Sequence, residues 1–251
     1  MTHEIKSAII LAAGRGSRLR TVTEKPKSLL EVRGEVLIER LIEQLQAKGI
    51  DDITIVTGYR HKDFYYLEDK YDIELVYNKK WFCTNNIVSF IKGFEAHSRA
   101  LSQYGTIILD ADIYINDESV IQTKIDNSGY YVEYSDDAEK CKSEWIVKMV
   151  GVSDRHIVNV ITDGSCDHGY VLRSLSVWTP LAFQTLYDCA KRAIINGYNM
   201  QCYIDHIPCV INSDKFHLRP YVANENSLLE IDTELDYNEV VKEHDNEEIQ
   251  E

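Results

Sequence analysis

The chain has no apolar run of about 20 residues, the length a helix needs to cross a bilayer, so no membrane span is predicted. Its first residues, Met1-Thr2-His3-Glu4, are polar and acidic, unlike a secretory signal peptide. The six cysteines, Cys83, Cys141, Cys166, Cys189, Cys202 and Cys209, form no C-x-x-C pair. That removes a zinc spacing and a disulfide framework, and leaves reduced thiols, mostly buried or incidental, in a cytoplasmic protein. Positive charge is also scarce: 27 Lys and Arg face 41 Asp and Glu, a formal charge of -14. Nucleic acid is thereby excluded as a partner, because a phosphate backbone demands an extended basic face. Small anions are not excluded, since a few cations in a cleft reverse the local potential. Internal repeats and low-complexity linkers are missing too. With 251 residues, 44% of them hydrophobic, the chain is expected to form one large domain, or a core with a modest insertion.

Against that acidic background one basic island stands out. Residues 11–27 read L-A-A-G-R-G-S-R-L-R-T-V-T-E-K-P-K, with Arg15, Arg18, Arg20, Lys25 and Lys27 against a single acid, Glu24. The run follows Ala8-Ile9-Ile10, a short apolar stretch that reads as a buried strand. Gly14 and Gly16 let the backbone turn tightly and expose N–H groups. A strand end, a flexible turn and concentrated cations together make a cradle for a polyphosphate.

The first half alternates strands and amphipathic helices. Leu37, Ile38, Leu41, Ile42 and Leu45 follow helical spacing up to Gly49. Strands are predicted at 53–57, 73–77 and 106–109, a helix at 61–70, and another from Ile87 with Asn86 as its cap. This order predicts a Rossmann-like α/β fold: a mainly parallel sheet with helices on both faces. Ligands bind such sheets beyond the carboxyl ends of the strands. The glycine-arginine loop and the Asp110-Ala111-Asp112 segment therefore fall on the same rim. Beyond Gly129 the pattern turns β-rich, with antiparallel strands expected at 130–134, 146–152, 157–161 and 170–178. A helix at 180–195 follows, opened by Pro180 and stopped at Gly197, and the acidic tail from residue 244 is expected to fray.

Taken singly, the motifs leave more than one reading. The dinucleotide fingerprint fails because Leu19 stands where its third glycine belongs, and no G-K-[ST] closes a Walker loop. Asp110 and Asp112 fit either metal ligation or turn chemistry at a strand end. Asp232 fits a helix cap ahead of Thr233-Glu234-Leu235. Asn86 fits a cap or a ligand contact.

The combined pattern is more specific. L-A-A-G-R-G-S-R-L, T-E-K-P-K-S-L-L-E-V and G-x-x-L-I-E-R resemble the signature of nucleotidylyltransferases that load sugar phosphates or phosphocholine onto a nucleotide. The resemblance continues through Gly58-Tyr59, Asn85-Asn86, D-A-D at Asp110 and Glu230-Ile231-Asp232, in order along nearly the whole chain. Y-N-K-K-W-F-C-T-N-N-I-V-S-F and C-K-S-E-W look most like bacterial choline-phosphate cytidylyltransferases.

The resemblance implies a nucleotide-diphospho-sugar transferase-like fold as one nucleotidylyltransferase domain over 1–251. Its nucleotide-binding core would be about 1–128, a β-rich acceptor-binding part about 129–232, and a C-terminal helix and tail 233–251. It implies magnesium-dependent transfer of CMP from CTP to phosphocholine, giving CDP-choline and pyrophosphate. Lys27 would stand beside the α-phosphate, while Arg18 and the backbone of Gly14, Arg15, Gly16 and Ser17 would hold the β- and γ-phosphates. Asp112 and Asp232 would bind Mg2+. Backbone atoms of Leu11, Ala12 and Ala13, with Gly58, Asn85 and Asn86, would receive the base, and Asp110 would line the nucleotide site. Catalysis would rest on Lys27, Arg18 and Asp112.

For the acceptor, aromatic faces backed by carboxylates suit a quaternary ammonium group. Trp145, Tyr203, Asp205 and Glu230 match the expected pocket, though any of the 16 tyrosines alone is more often core or surface. Gln201 departs from the pattern, standing where the choline enzymes are expected to carry an acid. That departure keeps 2-aminoethylphosphonate, phosphoethanolamine or another small phosphorylated or phosphonate acceptor open. A sugar-1-phosphate nucleotidylyltransferase and a regulatory domain of the same fold are the remaining alternatives. The sequence leaves the oligomeric state open.

Overall fold

The computed structural model describes residues 1–97, 103–151, 155–197 and 200–248, with side chains described as far as Val241. Its principal strands are β1 (His3–Ala12), β2 (Asp52–Thr57), β3 (Glu74–Tyr77), β4 (Gly105–Asp110), β5 (Ile113–Ile115) and β6 (Gly129–Ser135). They continue as β7 (Ile146–Val150), β8 (His156–Ile161), β9 (Gly169–Trp178), β10 (Arg219–Val222) and β11 (Leu228–Glu230). The main helices are α1 (Leu37–Ala47), α2 (Asn86–Ala96), α3 (Pro180–Ile195) and α4 (Glu234–Glu248).

Side chains alternate across a strand, and β1 uses that alternation to build both faces of the core. Ala8, Ile10 and Ala12 pack on one side with Ile38, Leu41, Ile42 and Leu45 of α1. Ile9 and Leu11 pack on the other with Ile87, Phe90 and Phe94 of α2 and Phe183 and Leu186 of α3. Complete burial of each such aliphatic side chain contributes about 1.5–3 kcal/mol. Helices thus cover both faces of the sheet. Strands β4, β1, β2 and β3 lie parallel in that order. Beyond β4 the sheet turns antiparallel through β9, β7 and β8, with β6 on β9 and β10 parallel to β6. The architecture is a mixed sheet with a parallel core.

Register places the functional rim. Leu11 is opposite Asp110, and Ala12 is opposite Thr57, so β1, β4 and β2 end side by side. The glycine loop, the Asp110-Ala111-Asp112 turn and Gly58 leave the sheet from that one edge.

Several boundaries differ from the sequence reading. The single helix expected at 61–70 is a 3-10 turn, His61–Phe64, followed by a short helix, Tyr66–Tyr71. Phe64 and Leu67, one from each piece, are both fully buried, so the two short pieces turn one face to the core. The cap of α2 is Asn85, not Asn86: Asn85 is extended, and its side chain accepts from the Asn86 N–H at 2.8 Å. The strand expected to end at residue 152 ends at Val150, and residue 152 lies outside the described residues. The tail expected to fray from residue 244 is helical to Glu248, and residues 249–251 lie outside the description. Strands β10 and β11 had no periodic signal, being only four and three residues long.

Candidate active site

Gly16 adopts φ 62°, a left-handed conformation, and a Cβ there would come within 2.7 Å of Lys27 Cβ. Only glycine lets the loop close down on the lysine this way. Lys27 opens a 3-10 turn, Lys27–Leu29, whose Leu29 is buried along with the following Leu30, so its stem is anchored. Its ammonium sits between two carboxylates, bonding Asp112 Oδ2 and, at 2.6 Å, Asp232 Oδ1. The Lys27 side chain is 13% exposed, that of Asp232 46%. Burial works to lower the lysine pKa, but the two carboxylates outweigh it and raise it above the usual lysine value. Lys27 is therefore cationic throughout the neutral range.

Asp112 and Asp232 meet because β11 pairs antiparallel with β5, placing Glu230 opposite Ile113. The ladder continues through a bond from the Ile231 N–H to the Asp112 carbonyl at 3.0 Å. Asp232 is not the cap of α4. Asp236 accepts from the backbone N–H groups of Asp232 and Thr233, while Thr233 Oγ1 accepts from the Asp236 N–H. This is a capping box one residue later, and it leaves the Asp232 carboxylate for Lys27.

Two cavities open on the rim. The first, about 220 Å³, is lined by Leu11, Ala12, Ala13, Gly14, Gly16, Lys27, Asn85, Asn86, Asp110 and Asp112 from the expected set. Trp81, Ser28, Thr84 and Ser89 complete it with Ala111 and Tyr203. Gly58 does not line this cavity; it supports its wall. A Cβ there would lie 2.4 Å from the Ala13 carbonyl oxygen and 2.5 Å from Trp81 Cβ. Arg15 and Ser17 are exposed outside both linings, and the Arg15 guanidinium lies over the Tyr59 ring, 5.4 Å from its centroid. Arg18 lines the second cavity rather than the first. Its neighbour Leu19 is fully buried against Ile231 and Val240, which turns this part of the loop toward the C-terminal segment.

The basic island thus disperses on folding. The first cavity keeps one cation, Lys27, against Asp110 and Asp112.

The second cavity, about 640 Å³, shares Asp110 and Tyr203 with the first. All four expected acceptor residues, Trp145, Tyr203, Asp205 and Glu230, line it. The Trp145 and Tyr203 rings meet edge-on at 5.5 Å, and Trp145 meets His206 at 4.5 Å. Seven lining carboxylates face three cations, Arg18, Lys140 and Arg173. Burial raises the Glu230 carboxyl to about 7; Asp112 adds to the rise, while Arg173 and a hydrogen bond from Ser174 oppose it. Asp205 is also raised by burial, against a hydrogen bond from the Tyr130 hydroxyl. Asp110 is raised by burial and then by Asp112, Asp205 and Glu230.

Glu144, Arg173 and Ser174 were not expected in this lining. Glu144 stands inside the quoted C-K-S-E-W segment, beside Trp145, so a signal existed for it. Arg173 carried none: it is 5% exposed on β9 and paired with Glu133 at 3.0 Å. Gln201 is outside both linings, and its amide donates to the Cys83 carbonyl at 2.9 Å.

Among the described residues no group of three or more His, Cys, Asp or Glu is arranged to hold a metal. Asp112 and Asp232 nonetheless supply two hard oxygen donors within reach of one ammonium. That set suits Mg2+, which takes one or two protein carboxylates and completes its shell with water and phosphate oxygens. The charge balance points the same way. With Lys27 already offset by two carboxylates, a polyphosphate needs positive charge beyond it.

Residues 8–141 match the family model described as a MobA-like NTP transferase domain. The choline-phosphate cytidylyltransferase of Streptococcus pneumoniae is 33% identical over 92% of this chain and 94% of its own. That of Haemophilus influenzae is 30% identical over 94% of this chain and 96% of its own. The solved structure of the CTP:phosphocholine cytidylyltransferase from Streptococcus pneumoniae superposes with a TM-score of 0.84 at 31% identity, covering 96% of this chain and all of the other.

Proposed function

The chain belongs to the MobA-like NTP transferase family, and from that premise we propose that it transfers CMP from CTP to phosphocholine, giving CDP-choline and pyrophosphate. One observation carries the reading. Lys27 lines the cavity of the glycine loop and, through its bond to Asp232, is tied to the aromatic, acid-rich one.

The first cavity takes the nucleotide. Leu11, Ala12 and Ala13 leave room for a flat ring, with Asn85 and Asn86 at its edge and Gly58 holding the wall. Backbone N–H groups of the loop from Gly14 to Ser17 hold the β- and γ-phosphates, with help from Arg18, whose exposed side chain lines the second cavity. The second cavity takes the acceptor, its ammonium against Trp145 and Tyr203 and its charge balanced by Asp205 and Glu230.

A phosphate monoester has its second pKa near about 6, so at neutral pH the attacking oxygen is already deprotonated. No general base is required. The acceptor oxygen bonds to the α-phosphorus as the bond to the β-phosphate bridging oxygen breaks, and pyrophosphate leaves. Lys27 stabilises the charge that gathers on the α-phosphate oxygens. Bound Mg2+, held by Asp112 and Asp232, would neutralise phosphate charge during the same exchange. About residues 1–128 supply most of the nucleotide part and about 129–232 most of the acceptor part of one domain, with 233–251 as a C-terminal helix and tail. Six free thiols, together with no helix long and apolar enough to cross a membrane among the described residues, support a cytoplasmic setting.

Gln201 does not argue against choline. It lies outside the second cavity, whose acids remain in excess without it. The test is pyrophosphate release from CTP and magnesium with phosphocholine, 2-aminoethylphosphonate, phosphoethanolamine and glucose-1-phosphate. Phosphocholine is expected to give the highest kcat/KM. Turnover with 2-aminoethylphosphonate alone would move the assignment to the phosphonate enzymes.

A further inference from the structure

The two cavities are walled by distant parts of the chain, yet four hydrogen bonds join those walls. The Asn85 N–H donates to the Met200 carbonyl at 2.8 Å, and the Asn85 amide to the Gln201 carbonyl at 3.2 Å. The Gln201 amide donates to the Cys83 carbonyl at 2.9 Å, and the Ile204 N–H to Asn86 Oδ1 at 2.8 Å. Asn85 and Asn86 line the first cavity, Asp205 the second, and Tyr203 both. Residues 200–206 contain no strand, so no sheet ladder holds them. Ile204 is buried in the same cluster as Ile87 and Phe90 of α2, and these cross-links add directed bonds that set the segment's position relative to the first cavity.

We propose that Gln201 is a positioning residue that couples the two sites, so that each substrate tightens binding of the other. The proposal rests on assigning the first cavity to CTP and the second to the acceptor. A nucleotide against Asn85 and Asn86 orders residues 83–86, and the Gln201 and Ile204 bonds carry that order to Tyr203 and Asp205. The acceptor then meets a wall that has already lost its freedom, and binds with a smaller entropy loss. Linkage makes the effect reciprocal: the acceptor must raise CTP affinity by the same factor. Gln201 acts through its amide donor, which explains why a neutral side chain stands at this position. A carboxylate there would face the Cys83 carbonyl with no proton to donate.

The experiment is calorimetry on the full chain with magnesium, a CTP analogue with a methylene between the α- and β-phosphorus, and phosphocholine. In the unaltered protein, saturating phosphocholine is expected to raise analogue affinity at least about fivefold, and the analogue to raise phosphocholine affinity equally. In Gln201→Ala each ligand alone binds within about twofold of the unaltered protein, while the coupling falls below about twofold. Gln201→Glu is expected to behave like Gln201→Ala. A role through charge in the acceptor pocket would instead tighten phosphocholine binding in the glutamate variant. A second arm measures amide hydrogen exchange: the analogue alone slows Ile204 in the unaltered protein but not in Gln201→Ala. Full coupling retained in Gln201→Ala, or none in the unaltered protein, overturns the proposal. Should phosphocholine bind to neither form, the acceptor assignment fails, and hydrogen exchange alone decides the role of Gln201.

Discussion

The two cavities on the rim are built in opposite ways. The first is lined largely by small or uncharged residues from the end of β1, the glycine loop and the start of α2, joined by Lys27 and the Asp110-Ala111-Asp112 turn. The second is assembled from side chains of β9, β11, the turn before β7, the loop around residue 205 and the start of α4. Small residues such as Ala12, Ala13, Gly14 and Gly16 leave room for a ligand to approach the backbone, which suits recognition of shape and phosphate. A side-chain-built site gains specificity, but each member depends on long-range packing. The difference predicts that substitutions in the first cavity act on the chemical step or on all nucleotides alike, whereas those in the second sort one acceptor from another.

The largest effect tests the junction. Lys27→Ala is expected to lower kcat by about 10²–10³-fold, with CTP binding changed only a few-fold, because its charge acts mainly in the transition state. Pyrophosphate release and CTP titration separate the two terms; unchanged turnover with intact binding would refute the mechanism. Asp112→Asn is expected to remove magnesium-dependent activity while the thermal unfolding midpoint stays near that of the unaltered protein. Asp232→Asn, at a more exposed carboxylate, is expected to raise the magnesium needed for half-maximal rate by about 10–100-fold.

The next effects belong to the second cavity alone. Glu230 has its carboxyl raised to about 7, so lowering the pH from 8 to 6 converts most of it from carboxylate to neutral acid. The sign follows directly: a cation binds the charged form, so affinity falls with acidity. Binding of choline itself, which has no titrating phosphate, is expected to weaken by about tenfold across that interval. Glu230→Gln should abolish the pH dependence, and a dependence that survives it would point to Asp205. Trp145→Ala is expected to weaken choline binding by about 5–30-fold and leave CTP affinity alone. Trp145→Phe should restore part of the loss. If Trp145→Ala weakens CTP as much as choline, the division into two sites breaks down. The smallest effect is expected for Arg15→Ala, below about threefold on any kinetic constant, because that exposed guanidinium covers Tyr59 outside both linings.

Much of this was legible beforehand, for a physical reason. The parallel core, the rim, the glycine loop and the Asp110-Ala111-Asp112 turn are local patterns, and local patterns are written in contiguous residues. Lys27 could be singled out because the residues around it repeat a known order. Arg18 was harder: its motif carried no sign that it would line the second cavity, where the burial of Leu19 turns it. Arg173 was invisible, since one arginine on a strand carries no periodic or motif signal. The cap of α2 was misplaced by one residue, and Asp232 could be read as a cap or a ligand until the structure showed Thr233 and Asp236 capping α4, because the backbone angle at a helix entrance decides which side chain caps.

The sequence by itself determined the strand and helix order, the charge of the loop and the chemical types gathered on one sheet edge. These follow from side-chain periodicity and backbone preference, which act over a few residues. Only the tertiary structure decided that β11 pairs with β5 and brings Asp232 to Asp112, that Lys27 bridges them, and that residues 200–206 are bonded to the wall of the first cavity. Those contacts join segments far apart along the chain, and their geometry is set by burial and hydrogen bonding that no local pattern encodes.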